Sequence, residues 1–294
     1  FEELVAFPTY NPIREDFYRN RDGRYGADVE DLLYNGPFEM TVWVHGAHLR
    51  LEKNTNYWDQ ERVRLNVIDI PYFTTDTTAA LNLYKDGQIA IVDYLGAEQL
   101  DEVLQQRWEL QRFGDGSVWF LAFNFDPSRV TSNWHLRKAL QLVTDPSELV
   151  NRIIKMPGNL PGESLFPVWL QGIDGFFRQE YPAPQITLDA DAAREHLRLA
   201  MEELGLDEPP SLALLVDDTP GAGRQAEYFQ NLYGTQLGID IRIDRQIFKQ
   251  RLAKMQNQDF DIATYGWGPD FADPLTFGEL FASWNPNNNG RFSN

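Results

Sequence analysis

From residue 189 to residue 267 the chain switches between helical and strand periods with only a few residues at each changeover, and that rhythm leaves few folds open. Asp189 or Asp191 caps a helix that runs to Leu204, with Ala193, Leu197, Ala200 and Leu204 on one stripe and Gly205 just past its end. Residues 211–216 read as a strand and 223–237 as a helix ended by Gly238, after which Ile239, Ile241 and Ile243 alternate as the next strand. A third helix over 246–256 leads back to a strand that opens at 260. This β-α-β-α-β order with short connections argues for a mixed, mainly parallel sheet with helices on both faces, an α/β fold.

The last of these strands runs into FDIATYGWGPDFAD (260–273), where the chemistry concentrates. Phe260, Ile262 and Thr264 alternate at the period of a strand with one buried face. Gly266 and Gly268 remove side chains where a ligand's backbone comes close, or where φ must be positive. Trp267 offers a large rigid face and Asp270 an acceptor-only carboxylate just past the strand's C-terminal end, the end at which open α/β sheets dock ligands. A carboxylate beside an aromatic suits an ammonium group such as a peptide's N-terminus. The same residues also describe a tight turn whose Trp fills core and whose Asp caps a backbone group.

Charge narrows the partners. Lys and Arg number 26 against 44 Asp and Glu, a net −18, which argues against a nucleic-acid partner and against adhesion to an anionic membrane. With no cysteine, thiolate metal sites, disulfides and cysteine nucleophiles are excluded. No apolar run is long enough to span a membrane. The chain opens on Phe1 without a leader or a lipid-accepting cysteine, so it is expected to be an excised fragment.

The earlier half is less regular. Strands are expected over 39–44 and 49–51, joined by a two-residue hairpin at Gly46-Ala47 that would set His45 opposite His48. Two histidines do not make a metal site, and a satisfied surface pair is the expectation. Trp43, Tyr57 and Trp58 are expected as packing. A strand over 65–73 precedes a helix over 78–85, capped by Asp76 and stopped at Gly87, and then a strand over 89–92 and a helix over 98–106. A strand over 118–125 and an amphipathic helix over 133–142 follow, with a domain boundary near 116 and His135 exposed on that helix. Residues 156–184 form a long covering loop.

No enzyme motif is found: there is no G-x-S-x-G elbow, H-E-x-x-H pair or Gly-rich phosphate loop, and the neighbouring carboxylates Asp217-Asp218 and Asp270 with Asp273 read as turn chemistry.

Three separated blocks carry a family resemblance. Residues 260–274 follow F-D-x-x-x-x-G-W-x-x-D-[FY]-x-D-P, residues 35–59 follow N-G-P-[FY]…W…L…N-x-x-Y-W-D, and the segment from Asn124 through Asn133–Leu140 to Asp145…Leu149-Val150 follows a third pattern. Together they resemble extracytoplasmic solute-binding protein family 5, the oligopeptide-, dipeptide- and nickel-binding components of ABC importers. The resemblance implies a type II periplasmic-binding-protein fold, with 1–115 as the later part of the first lobe and 116–294 as most of the second, the C-terminal closing segment being absent. It implies no catalysis and no cofactor, a monomer outside the cytoplasm, and as partners a peptide or other small solute and the permease subunits, with the membrane met only through a lipid anchor or the permease. Asp270 would neutralise the ligand's amine and Trp267 pack beside its first residues, while Gly266 and Gly268 let its backbone approach. Phe248 matches an aromatic cleft position, and Asn287 or Asn288 would supply amide hydrogen bonds. Departures from the pattern are Gln88 and Ala90 after Gly87, Trp134-His135 where a small or charged pair is commoner, and Met255 and Thr264 where some oligopeptide binders carry arginines for ligand carboxylates. Oligosaccharides, nickel chelates and a ligand-sensing regulatory role of the same fold are the alternatives.

Overall fold

The computed structural model describes Val5 and residues 7–293, which fall into two units, Phe1–Val92 and Asp93–Asn294. In the first, β1 (Phe38–Val44), β2 (His48–Lys53) and β3 (Val67–Ile70) form an antiparallel meander. Thr41 is the extra residue of a bulge, since Met40 pairs with Leu51 and Val42 with Arg50. The turn into β2 takes three residues, not two. The Ala47 N–H donates to the Val44 carbonyl at 2.9 Å, and Gly46 takes φ +72° at the third place of that turn. His48 therefore pairs with Val44, and the expected opposition of His45 and His48 does not occur. Each ring meets its own carboxylate, His45 on Asp28 at 2.9 Å and His48 on Asp69 at 2.8 Å.

Two further expectations in this unit need correction. Trp58 is 83% exposed and packs no core, whereas Trp43 is half-buried against the His45 ring at 4.3 Å. The strand expected over 65–73 stops before Pro71, which has no N–H to give a ladder, and residues 89–92 find no strand partner among the described residues. Helix α1 (Thr77–Lys85) is as its punctuation announces: the Asp76 carboxylate accepts from the Thr78 and Ala79 amides.

The second unit opens with α2 (Leu100–Gln106), then β4 (Val118–Phe123), α3 (Trp134–Val143), α4 (Ala190–Leu204), β5 (Ser211–Asp217), α5 (Pro220–Leu237), β6 (Asp240–Gln246), α6 (Phe248–Gln256) and β7 (Ile262–Trp267). The strands lie in the order β4-β7-β5-β6. β5 is parallel to both β6 and β7, and β4 closes one edge antiparallel to β7. The division at Val92–Asp93 falls ahead of the one expected at 115/116. One tie holding this early segment in the second unit is Glu98, whose carboxylate pairs with Arg224 of α5 at 3.3 Å.

Both faces of the sheet are covered, which corrects the single buried face read from Phe260, Ile262 and Thr264. Leu212, Leu214, Val216, Ile241 and Ile262 pack under α3, α4 and α5 through Leu136, Leu140, Leu197 and Phe229. On the opposite face Leu215, Ala263 and Phe260 meet Met255 of α6. The side-chain alternation of a strand sends neighbours such as Ile262 and Ala263 to different faces, yet both are fully buried. Each large apolar side chain so buried contributes about 1.5–3 kcal/mol. Caps set the helix starts: Asn133 accepts from the Leu136 amide and Asp189 from those of Asp191 and Ala192. His135, expected as exposed, is half-buried, its Nδ1 2.7 Å from Nδ1 of His196 on α4.

Candidate functional site

Because β6 and β7 both run parallel to β5, the C-terminal ends of all three strands lie at one edge of the sheet. Asp217, the turn into Phe248, and Trp267 with the residues after it all leave the sheet there. This is the edge at which open α/β sheets present ligand sites. β5 and β7 pair only at Leu214–Ile262 and Leu215–Ala263 and then part. Arg251 of α6, almost fully buried, occupies the parting. Its Nε–H donates to Asp217 at 2.8 Å and its Nη1–H to the Thr264 carbonyl at 2.9 Å, satisfying a backbone group that the ladder no longer pairs.

Past β7 the chain turns on Thr276, which is buried. Its Oγ1 accepts from the Trp267 Nε1–H at 3.3 Å and from the Asp270 N–H at 3.1 Å, so one hydroxyl brings the indole and the Asp270 backbone together. Asp273 caps the following turn by accepting from the Leu275 amide at 2.8 Å, in line with the turn chemistry expected of it. The Asp270 carboxylate behaves differently. It takes no hydrogen bond and no ion pair among the described residues, and burial raises its pKa above the ordinary carboxylate value. A half-buried carboxylate without a donor is a poorly compensated negative charge. It does not cap a backbone group.

The two glycines differ from what their spacing suggested. Neither has positive φ. Gly266 lies opposite Trp119 in the β4–β7 register, and a β-carbon there would come within 2.6 Å of the indole. The room at Gly266 is thus filled by Trp119, which keeps 69% of its surface exposed. At Gly268, exposed, a β-carbon would meet nothing nearer than Ser117 Oγ at 3.4 Å, so this backbone is open to approach. Beside it, Gly116 allows Trp169 to close on the chain: a β-carbon would stand 2.9 Å from that indole and 3.2 Å from Pro269. Trp169 Nε1–H donates to the Gly116 carbonyl at 3.2 Å.

Phe248 begins α6 at this same edge, 66% exposed, with the Arg251 guanidinium 5.6 Å from its ring centre. Asn287 and Asn288 are elsewhere. Their loop is tied to the other end of β4 and to the entry of β7, through Phe125 N–H on the Gly290 carbonyl and Gln258 on that of Asn289. Asn288 also spends its amide internally, donating to the Phe292 carbonyl at 2.7 Å and accepting from the Phe292 N–H at 2.9 Å. The loop encloses an apolar cavity of about 260 Å³ with Phe120, Tyr265 and Phe281. The structure therefore gathers Trp267, Gly268, Asp270 and Phe248 at one edge and leaves the two asparagines out. Sequence reasoning missed Trp119, Arg251 and Thr276. Only Thr276 carried a local signal, as a hydroxyl three residues past the Asp273 cap.

Comparison with known proteins adds an independent line. The family model described as bacterial extracellular solute-binding proteins, family 5 Middle, matches residues 2–289. The oligopeptide-binding protein OppA of Bacillus subtilis (strain 168) is 28% identical, over 98% of this chain and 53% of its own length. The substrate-binding domain of the oligopeptide ABC transporter from Bacillus anthracis str. Ames superposes with a TM-score of 0.89 at 32% identity, covering 99% of this chain and 57% of that one. OppA of Listeria monocytogenes, solved bound to peptide, gives 0.86 at 29%, over 99% and 58%. This chain spans about half the length of the curated relatives it matches. The neighbours have the type II periplasmic-binding-protein fold, and the mixed α/β architecture here matches theirs, as expected from the sequence. Among the described residues no helix is long and apolar enough to cross a membrane.

Proposed function

Since the chain belongs to family 5 of the bacterial extracellular solute-binding proteins, we propose that it forms part of the binding component of an ABC importer and takes peptides by their N-terminal amine. One observation carries this reading: the Asp270 carboxylate, half-buried at the ligand edge of the sheet, has no donor among the described residues. An ammonium group delivered by a ligand would supply the missing charge and up to three donors. Trp267, fixed by Thr276, and the open backbone at Gly268 flank that position and favour an extended guest. Trp119 takes over from Gly266 as the surface beside the guest.

In this reading residues 1–115 derive from the first lobe and 116–294 from the second, the stretch 93–115 being first-lobe sequence that groups here with the second unit. The protein works as a monomer outside the cytoplasm without catalysing a reaction. It hands its solute to permease subunits and reaches the membrane through them or through a lipid anchor.

The test is calorimetry on the protein at its full natural length. A short peptide should bind, and its N-acetylated form should bind at least tenfold more weakly, the scale of a lost charge-assisted bond of about 1.5–3 kcal/mol. Asp270→Asn should reproduce that loss for the free amine and add nothing for the acetylated peptide. Equal affinity for both peptides would remove the amine anchor, and binding of an oligosaccharide in their place would move the protein to another branch of the family's ligands.

A further inference from the structure

The turn after β7 is braced differently from the other acidic turns of the second unit. Asp115, Asp126, Asp145, Asp189 and Asp273 each accept, through a carboxylate oxygen, from the amide two residues further on, at 2.8–3.1 Å. An aspartate in a turn ordinarily closes on its own backbone in this way. Asp270 does not. The Ala272 amide, two residues on and exposed, has no acceptor among the described residues, and Asp270 is held only by its own N–H, on Thr276 Oγ1 at 3.1 Å. Thr276 is fully buried in the short helical turn Leu275–Gly278, its own N–H donating to the Asp273 carbonyl at 3.2 Å. Its β-branch restricts χ1, so the hydroxyl is aimed from below at one place. Both lone pairs of that oxygen are taken, one by Asp270 N–H and one by Trp267 Nε1–H.

We infer that Thr276 is the positioning residue of the amine site, an assignment that rests on Asp270 being the amine anchor: its buried hydroxyl braces the turn from outside and so leaves the Asp270 carboxylate open to a ligand's ammonium group. In the other turns the carboxylate is itself the brace. Here a residue six positions on takes over that work, and the same oxygen fixes the indole that flanks the guest. Remove the oxygen and two donors lose their acceptor. The Asp270 carboxylate then turns onto the Ala272 amide, a charge-assisted bond stronger than a neutral one, and Asp270 becomes one more turn aspartate. An anion already holding a backbone donor has less to offer a cation. Thr276 thus acts through Asp270 and Trp267 without touching the guest.

The test compares Thr276→Val, which keeps the shape without the acceptor, with Thr276→Ser, which restores the oxygen, in the protein at its full natural length. Carbon-13 resonance of the Asp270 carboxyl, followed against pH without ligand, should place its pKa above the ordinary carboxylate value in the parent and in Thr276→Ser. In Thr276→Val it should fall below that value, because an amide donor favours the charged form. Calorimetry should show Thr276→Val binding a free-amine peptide at least about tenfold more weakly, the scale of a lost charge-assisted bond. It should also lose the preference over the N-acetylated peptide, and Thr276→Ser should keep it. A Thr276 that served the fold alone would lower stability and move neither the titration nor the ratio of the two peptides. An Asp270 titration unchanged in Thr276→Val, or a peptide preference retained there, overturns the inference. Should that variant not fold, the parent decides: the Asp270 amide should be protected from hydrogen exchange and the Ala272 amide unprotected, and protection at Ala272 overturns the inference. Equal affinity of the parent for the two peptides removes the amine anchor instead, while the titration still judges Thr276.

Discussion

Trp119 and Gly266 are cross-strand partners whose contact is so close that a β-carbon on Gly266 would sit 2.6 Å from the indole. Gly266→Ala should therefore push the ring away or spread the β4–β7 pair, at a cost of about 1–3 kcal/mol, as over-packing does. Urea unfolding of Gly266→Ala, Trp119→Ala and the double variant forms a cycle. The alanine at 266 should cost nearly nothing once the indole is gone. Additive losses would mean that the glycine is there for another reason.

Arg251→Met should be among the more damaging single changes in the second unit. It strands Asp217, whose side chain is 22% exposed, and leaves the Thr264 carbonyl without its donor. Breaking a largely buried pair in this way costs about 3 kcal/mol or more. Arg251→Lys should recover only part of that, because one ammonium does not reproduce a fork that reaches both oxygens. The midpoint of denaturant unfolding reads both.

Asp270→Asn should stabilise the unliganded protein while weakening peptide binding. Burial raises the folded-state pKa of Asp270 above its unfolded value, so the ionised group costs stability at pH values above the folded pKa. That cost fades as pH falls through the folded pKa and is absent below the unfolded one. The melting temperature of the variant should thus exceed that of the parent at neutral pH and converge on it in acid. Peptide affinity in the parent should fall on the same acid side, as the anchor takes up a proton.

Glu180 gives the opposite pH sign. Its carboxylate accepts from the backbone N–H groups of Ile173, Asp174 and Gly175, which lower its pKa. The order it confers on 172–175 is full above the unfolded carboxylate pKa and is lost as pH falls through the lowered one. Hydrogen-exchange protection factors at the three amides, relative to the intrinsic rate at each pH, should be high at neutral pH and low in acid. In Glu180→Gln they should be low at both.

Legibility followed the range over which each feature is encoded. Helix starts were readable because the cap lies beside the amides it serves, as at Asp76, Asn133 and Asp189. The sheet class was readable from the order of periods. Register was not, since whether Gly266 meets Trp119 or a neighbour depends on how two distant strands slide past each other. Arg251 looks like one more polar position on α6, and its task exists only because β5 and β7 separate. The asparagines at 287 and 288 erred in the other direction: their amide chemistry suggested a guest, yet the Asn288 side chain stitches its own loop.

The edge strand β4 is joined to the entry of β7 by Asn124, whose Nδ2 donates to the Phe260 carbonyl across 136 positions of chain. Closing so long a loop is repaid only once the intervening segments have condensed, which places this union late in folding. During synthesis the elements up to α6 leave the ribosome before β7, which ends at Trp267, and the turn after it that carries Asp270. A half-made chain therefore lacks the sheet edge on which the proposed site stands, and that edge is completed in a single closing step.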